Sequence, residues 1–162
     1  MINIVSRQEL WHPLSVHLPI VFLLSATVLS IVLLCLKKNQ WYIFIKYTLI
    51  FLLTSGTAFL WLSFYTGNQA YGPVVRTICY PSLLKTHLYW AYVTCYSFSA
   101  ISLFAVIGLF VPWLQRKIMI AFIAVGCVLA SACLCYTGHL GGTLVYEHGA
   151  GVNPKAKDCA ED

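Results

Sequence analysis

The five histidines, His12, His17, His87, His139 and His148, are the residues of this sequence with the most chemistry to offer. All lie at or within about two turns of one side of a set of apolar runs. His17 stands twenty residues before Lys37 and His139 stands 23 after Arg116. At about 1.5 Å per residue, each is then some 30–35 Å from the opposite end of its run. Ionisable side chains at membrane depth are costly, and the default reading is a functional site. Haem needs two imidazoles on facing helices with an apolar slot between them. A zinc or copper site needs three or four ligands, here with Glu9 or Glu147 in reach of the same side. Haem b is therefore the first expectation and zinc or copper the second. The third is no cofactor, with histidines that only snorkel. The favoured axial pair is His17 with His87, and His139 paired with either is the rival. His12 and His148 are left to support the pair, bind propionates or ligate a second haem. Ala91, Thr94 and Cys95 below His87, and Cys135, Ala132 and Ser131 below His139, are small enough to leave room for a macrocycle. Trp61, Phe64 and Tyr65 are expected to wall it. Gly138, Gly141 and Gly142 are expected to bring backbone N–H groups close to a propionate.

Elements able to position these groups follow from composition. The chain has 162 residues, 60% hydrophobic and 9% charged, with a mean hydropathy of +0.80. A soluble domain carries about 25% charged residues, so the expected class is an all-α integral membrane protein with residues 1–162 as a single membrane domain. Ten basic residues give a net charge of +5 but form no run, which excludes a nucleic-acid partner. No cleavable signal peptide is expected, because the first apolar run is too long for one. Neither G-x-G-x-x-G nor a Walker loop occurs. The apolar runs hold no Asp or Glu, against a proton-coupled transporter of the usual kind. Lys46 lies near a span end and is expected to snorkel.

Four spans are predicted, at about 14–36, 41–65, 85–111 and 118–138, with a 66–84 loop and a glycine-rich polar tail at 139–162. Short connections make this an up-down-up-down four-helix bundle. Lys37, Lys38, Arg116 and Lys117 crowd the two short links, which places those links in the cytoplasm. Both termini, the 66–84 loop and the histidines then face the periplasm. Cys79 and Cys159 would share that oxidising side, and a disulfide between them is a candidate. His17 and His87 each open a span, and Tyr65-Thr66-Gly67 and Tyr136-Thr137-Gly138 each close one. The offsets, 70 and 71 residues, suggest a duplicated helical hairpin with His17 and His87 as mates.

Two end motifs carry a resemblance. His12-Pro13-Leu14-Ser15-Val16-His17-Leu18-Pro19-Ile20, together with Gly138-His139-Leu140-Gly141-Gly142-Thr143-Leu144-Val145-Tyr146 and Gly149-Ala150-Gly151-Val152, resembles the bacterial membrane-protein family DUF2231. The resemblance covers nearly the whole chain and implies four spans in the bacterial inner membrane. Some members are fused to c-type cytochrome domains, which implies a redox setting. His12, His17 and His139 fall on motif positions, and His87 matches a histidine often seen opening the third span. Many members carry an acid at the end of span two, where Gly67-Asn68-Gln69 stands here. The expected function is a small b-type cytochrome-like electron-transfer subunit, with other membrane subunits or a c-type cytochrome as partners. A stand-alone enzyme is not expected. The alternatives are a cofactor-free accessory or assembly subunit of a larger membrane (respiratory) complex, or a periplasmic-side metal-binding protein.

Overall fold

A computed structural model of the chain describes residues 10–111 and 117–152. Its helices are α1 (Trp11–Ser15), α2 (His17–Cys35), α3 (Gln40–Val75), α4 (Pro81–Phe110) and α5 (Lys117–Tyr146). α1 and α2 form one span broken only at Val16, so four helices are long and apolar enough to cross a membrane. The break has a local cause. Pro19 has no N–H for the carbonyl of Ser15, and its ring crowds that carbonyl.

Two boundaries differ from expectation. α3 continues ten residues past Tyr65 to Val75, so most of the expected 66–84 loop is helix and the connection shrinks to residues 76–80. At 36 residues α3 is about 54 Å long, well beyond a hydrocarbon core of about 30 Å. Pro73 does not break it; the helix runs two residues past the proline. α5 likewise runs to Tyr146, taking in the first third of the expected tail. The stop comes at Gly149, with a φ of 68° that a side chain would strain. Its N–H reaches the carbonyl of Val145 at 3.1 Å and that of Ala150 reaches Leu144 at 2.9 Å, a left-handed glycine cap. The other ends are conventional. The Asn39 side chain accepts from the Tyr42 N–H at 3.0 Å to start α3, and Pro81 opens α4. The expected link at 112–116 lies outside the described residues.

Side-chain contacts fix how the helices meet. Along α1–α2, residues 12, 15 and 23 meet α3 at 63, 66 and 56 in turn. Along α4, residues 87 and 101 meet α5 at 137 and 126. Each pair therefore runs antiparallel. Thr27 against Ser131 joins α2 to α5, and Trp61 against Ser99 joins α3 to α4. The helices close into a ring of four. Leu23, Ala26, Leu53, Phe98 and Cys127 are fully buried at its centre. A second, smaller cluster caps the end that carries residues 76–80, built from Val74, Ile78, Leu84, Leu144 and Ala150.

Burial repeats along the chain with a register of its own. Pro19, Leu23, Thr27 and Ser30 are buried in the first span, and Thr94, Phe98, Ser102 and Ala105, each 75 residues later, are buried in the third. In the second and fourth spans Leu53, Gly56, Leu60 and Ala70 match Cys127, Ala130, Leu134 and Leu144, each 74 residues later. The expected offsets of 70 and 71 are five and three residues short of these, and at the observed offset His87 matches His12, not His17.

Candidate functional site

Between the main core and the capping cluster, His12 and His87 face each other across the bundle. Their ring centroids are 6.2 Å apart and nearly perpendicular. Each is held the same way. His12 Nδ1 lies 2.9 Å from the carbonyl oxygen of Ser63, and His87 Nδ1 lies 3.0 Å from that of Thr137. A carbonyl only accepts, so Nδ1 carries the proton and donates in both rings. Four residues after each carbonyl comes a glycine. A Cβ on Gly67 would sit 2.9 Å from two atoms of the His12 ring, and one on Gly141 would sit 3.2 Å from Cε1 of His87. The missing side chains clear a path to carbonyls that already serve the helix, so a ring from the neighbouring helix reaches the spare lone pair. Two copies of one device, histidine, carbonyl and glycine, stand 75, 74 and 74 residues apart.

Hydroxyls complete the layer differently in each hairpin. In the first, Ser15 Oγ meets Thr66 Oγ1 at 3.0 Å, and Thr66 donates back to the Ser63 carbonyl at 2.9 Å. In the second, Thr94 Oγ1 meets Thr137 Oγ1 at 3.1 Å. The position of Thr94 is filled by Pro19 in the first hairpin, which has no hydroxyl to offer.

The two rings separate two spaces. On the capping side lies a cavity of about 100 Å³, reaching Tyr71, Val74, Leu84 and Ala150. On the core side lies one of about 280 Å³, lined by Leu60, Ala91, Thr94, Cys95, Leu134 and Thr137 among others. His12 and His87 line both. Nε2 of each ring has no partner among the described residues and keeps accessible surface.

The other expected site residues are dispersed. His17 is exposed, though it edges the larger cavity, and His139 is exposed and lines neither. His148 is half-buried with its ring 5.1 Å from that of Tyr80. Ala91, Thr94 and Cys95 do make room below His87, whereas Ala132 and Cys135 face outward. Phe64 is a wall of both cavities; Trp61 and Tyr65 lie outside. Gly138, Gly141 and Gly142 line the larger cavity from within α5, so their N–H groups belong to the helix and are not free for a propionate. Cys79 is disulfide-bonded; Cys159, like Glu9, lies outside the described residues.

The haem, zinc and copper readings do not survive this geometry. Among the described residues no group of three or more His, Cys, Asp or Glu side chains could hold a metal ion. The physical reason is dispersal: two of the five histidines converge, and the remaining three point to the surface or to Tyr80. The larger cavity also falls just under the range of about 300–1,000 Å³ typical of cofactor pockets. The b-type cytochrome and metal-binding functions, and with them the His17–His87 axial pair, are withdrawn.

What sequence reasoning missed was the partner of each histidine. A carbonyl acceptor leaves no mark on residue type. The signal available was the glycine four residues on, Ser63 with Gly67 and Thr137 with Gly141, repeated at one offset.

No curated protein and no solved structure matches the chain. A family model does match, over residues 10–154 and so over all five helices. With four long apolar helices and that match, the chain belongs to the predicted membrane proteins of family DUF2231.

Proposed function

We propose that the chain is a cofactor-free accessory or assembly subunit of a larger membrane complex, with other membrane subunits or a c-type cytochrome as its partners. The observation that carries this is an aromatic face on α3 and α4. Trp61, Tyr65, Tyr92 and Tyr96 are exposed there, with Trp61 and Tyr96 5.8 Å apart and Tyr92 stacked on Tyr96 at 6.2 Å. Tyr96 sits halfway along α4, about 22 Å from its start. Its hydroxyl makes no hydrogen bond with the described residues. An exposed phenol at that depth has no water to bond, and hydrocarbon leaves it unsatisfied at a cost of several kcal/mol, roughly. A neighbouring protein helix offers the partner. The rest of the molecule agrees with a role in assembly: beyond the helices the described residues comprise only short links, and they include a single carboxylate, Glu147.

We further infer an up-down-up-down, duplicated hairpin in the bacterial inner membrane, with the histidine end in the periplasm. A disulfide at Cys79 suits an oxidising compartment, and Lys37, Lys38 and Lys117 gather at the other end.

The test is blue-native electrophoresis of tagged chain from mildly solubilised native membranes, with cross-linking mass spectrometry on the same sample. The chain is expected in a species several times its own mass, with cross-links or protection at the α3–α4 face. Tyr96→Leu should shift at least half of it to the free form. Recovery of a stable, monodisperse chain alone, before and after cross-linking, would overturn the proposal.

A further inference from the structure

The larger cavity has the makings of a ligand site that is separate from the aromatic face and independent of any role in an assembly. Its space is real: about 280 Å³, where an engineered apolar cavity of about 150 Å³ already binds benzene. The walls are mostly apolar, from Ile20, Leu60, Phe64, Leu134 and Val145. Two ring acceptors are among the polar groups that line it. His12 and His87 each spend Nδ1–H on a backbone carbonyl. A neutral imidazole fixed in that tautomer presents a bare lone pair at Nε2. Two such acceptors, unpaired within the described residues, belong to rings that line an otherwise largely apolar chamber. They call for a ligand that donates.

The mouth of the chamber narrows the class. Among its lining residues, Pro13, His17, Gly138 and Tyr146 are exposed, and all four belong to α1, α2 or α5. The opening therefore lies on the side of the bundle, between the first span and the last, near the end that carries the histidines. A molecule entering there is apolar enough to dissolve in the bilayer and can leave a tail outside.

We propose that this cavity binds a single aromatic ring carrying O–H groups, a hydroquinone or phenol headgroup, whose hydroxyl donates to Nε2 of His12 or His87. One ring with small substituents fits the volume, the hydroxyl satisfies an otherwise unpaired acceptor, and a tail leaves through the lateral mouth. Binding alone is claimed, with no electron transfer.

The experiment uses full-length protein in nanodiscs under anaerobic conditions, with trimethylhydroquinone and its dimethyl ether as probes. The hydroquinone should bind at least about tenfold more tightly than the ether, which has the same ring and no donor. Ala91→Phe, which fills the chamber from α4 one turn after His87, should abolish binding, with the helical circular dichroism signal confirming the fold. Replacing both acceptors, His12→Phe with His87→Phe in one chain, should bring the two probes to nearly equal affinity. Source is read by competition. Displacement by an isoprenoid-tailed hydroquinone in the nanodisc lipid supports a membrane-borne ligand, and displacement by water-soluble phenol alone supports a free one. Equal affinity for hydroquinone and ether in the unmodified protein would overturn the proposal. So would failure of both probes to bind, or binding unchanged by Ala91→Phe.

Discussion

Two seams of the bundle, α2 with α5 and α3 with α4, present equivalent hydroxyls and use them in opposite ways. At the first, Thr27 Oγ1 and Ser131 Oγ are 2.7 Å apart, and Thr27 also donates to the Leu23 carbonyl at 2.9 Å. Shifted by 75 and 74 residues, this pair becomes Ser102 and Thr57, one turn below the Trp61–Ser99 contact of the second seam. Thr57 Oγ1 and Ser102 Oγ are the buried side-chain polar atoms without a partner among the described residues. In one seam the two hydroxyls bond to each other. The other is packed by rings, Phe64 on Tyr92 at 4.6 Å and Trp61 on Tyr96, and its hydroxyls never meet. A repeat of residue types has therefore not produced a repeat of interactions. The seam with unpaired hydroxyls is also the one whose outer surface carries the exposed tyrosines, as expected if it is completed by another chain.

Stability measurements can break this contrast. The largest effect is expected from Thr27→Val, which leaves Ser131 buried without its partner and should cost about 1–3 kcal/mol in denaturant-induced unfolding in bicelles. Thr57→Val, the counterpart of altering Ser131, should be neutral or stabilising, since its hydroxyl has no bond to lose. Comparable losses from both would show that the seams are equivalent after all.

The presence of four spans and the family were legible in the sequence, because apolar length and two end motifs carry them. Helix ends were not. Gly67, Gly72, Pro73 and Gly138–Gly142 read as breakers, yet all are helical. Gly67 and Gly141 are there for the histidine rings, and packing against neighbours offsets the cost of about 1 kcal/mol for glycine in a helix. The expected offsets and those of the observed burial pattern differ by about one turn. The helices are apolar all round, so no polar stripe marks the inward face, and matching Val16-His17-Leu18 to Thr86-His87-Leu88 relied on residue names alone. Of the residues expected at a site, His87 and the small residues beneath it line the larger cavity. His12 was given a supporting role, since its carbonyl partner 51 residues away is invisible to side-chain chemistry.

The two histidine clamps sharpen the comparison further. Gly67→Ala should cost about 1–2 kcal/mol, because the new methyl meets two ring atoms of His12 at 2.9 Å. Gly141→Ala, with one contact at 3.2 Å, should be close to neutral, as the gain in helix propensity offsets a small shift of His87. Thermal unfolding in detergent compares them directly, and a costlier Gly141→Ala would reverse the assignment of the tighter clamp. The smallest difference is expected between Thr137→Val and Ser63→Ala. The first loses the bond to Thr94, worth about 0.6 kcal/mol between membrane helices. Ser63→Ala keeps the carbonyl that His12 uses and should change almost nothing.

All of this rests on two histidines held alike by backbone carbonyls. The most direct measurement is nitrogen-15 NMR of histidine-labelled protein in nanodiscs at neutral pH, with His12→Phe and His87→Phe assigning the signals. Both rings should show a protonated, hydrogen-bonded Nδ1 and a bare Nε2. A proton on Nε2 of either ring, with Nδ1 bare, would contradict the paired clamp and remove the acceptors on which the ligand site depends.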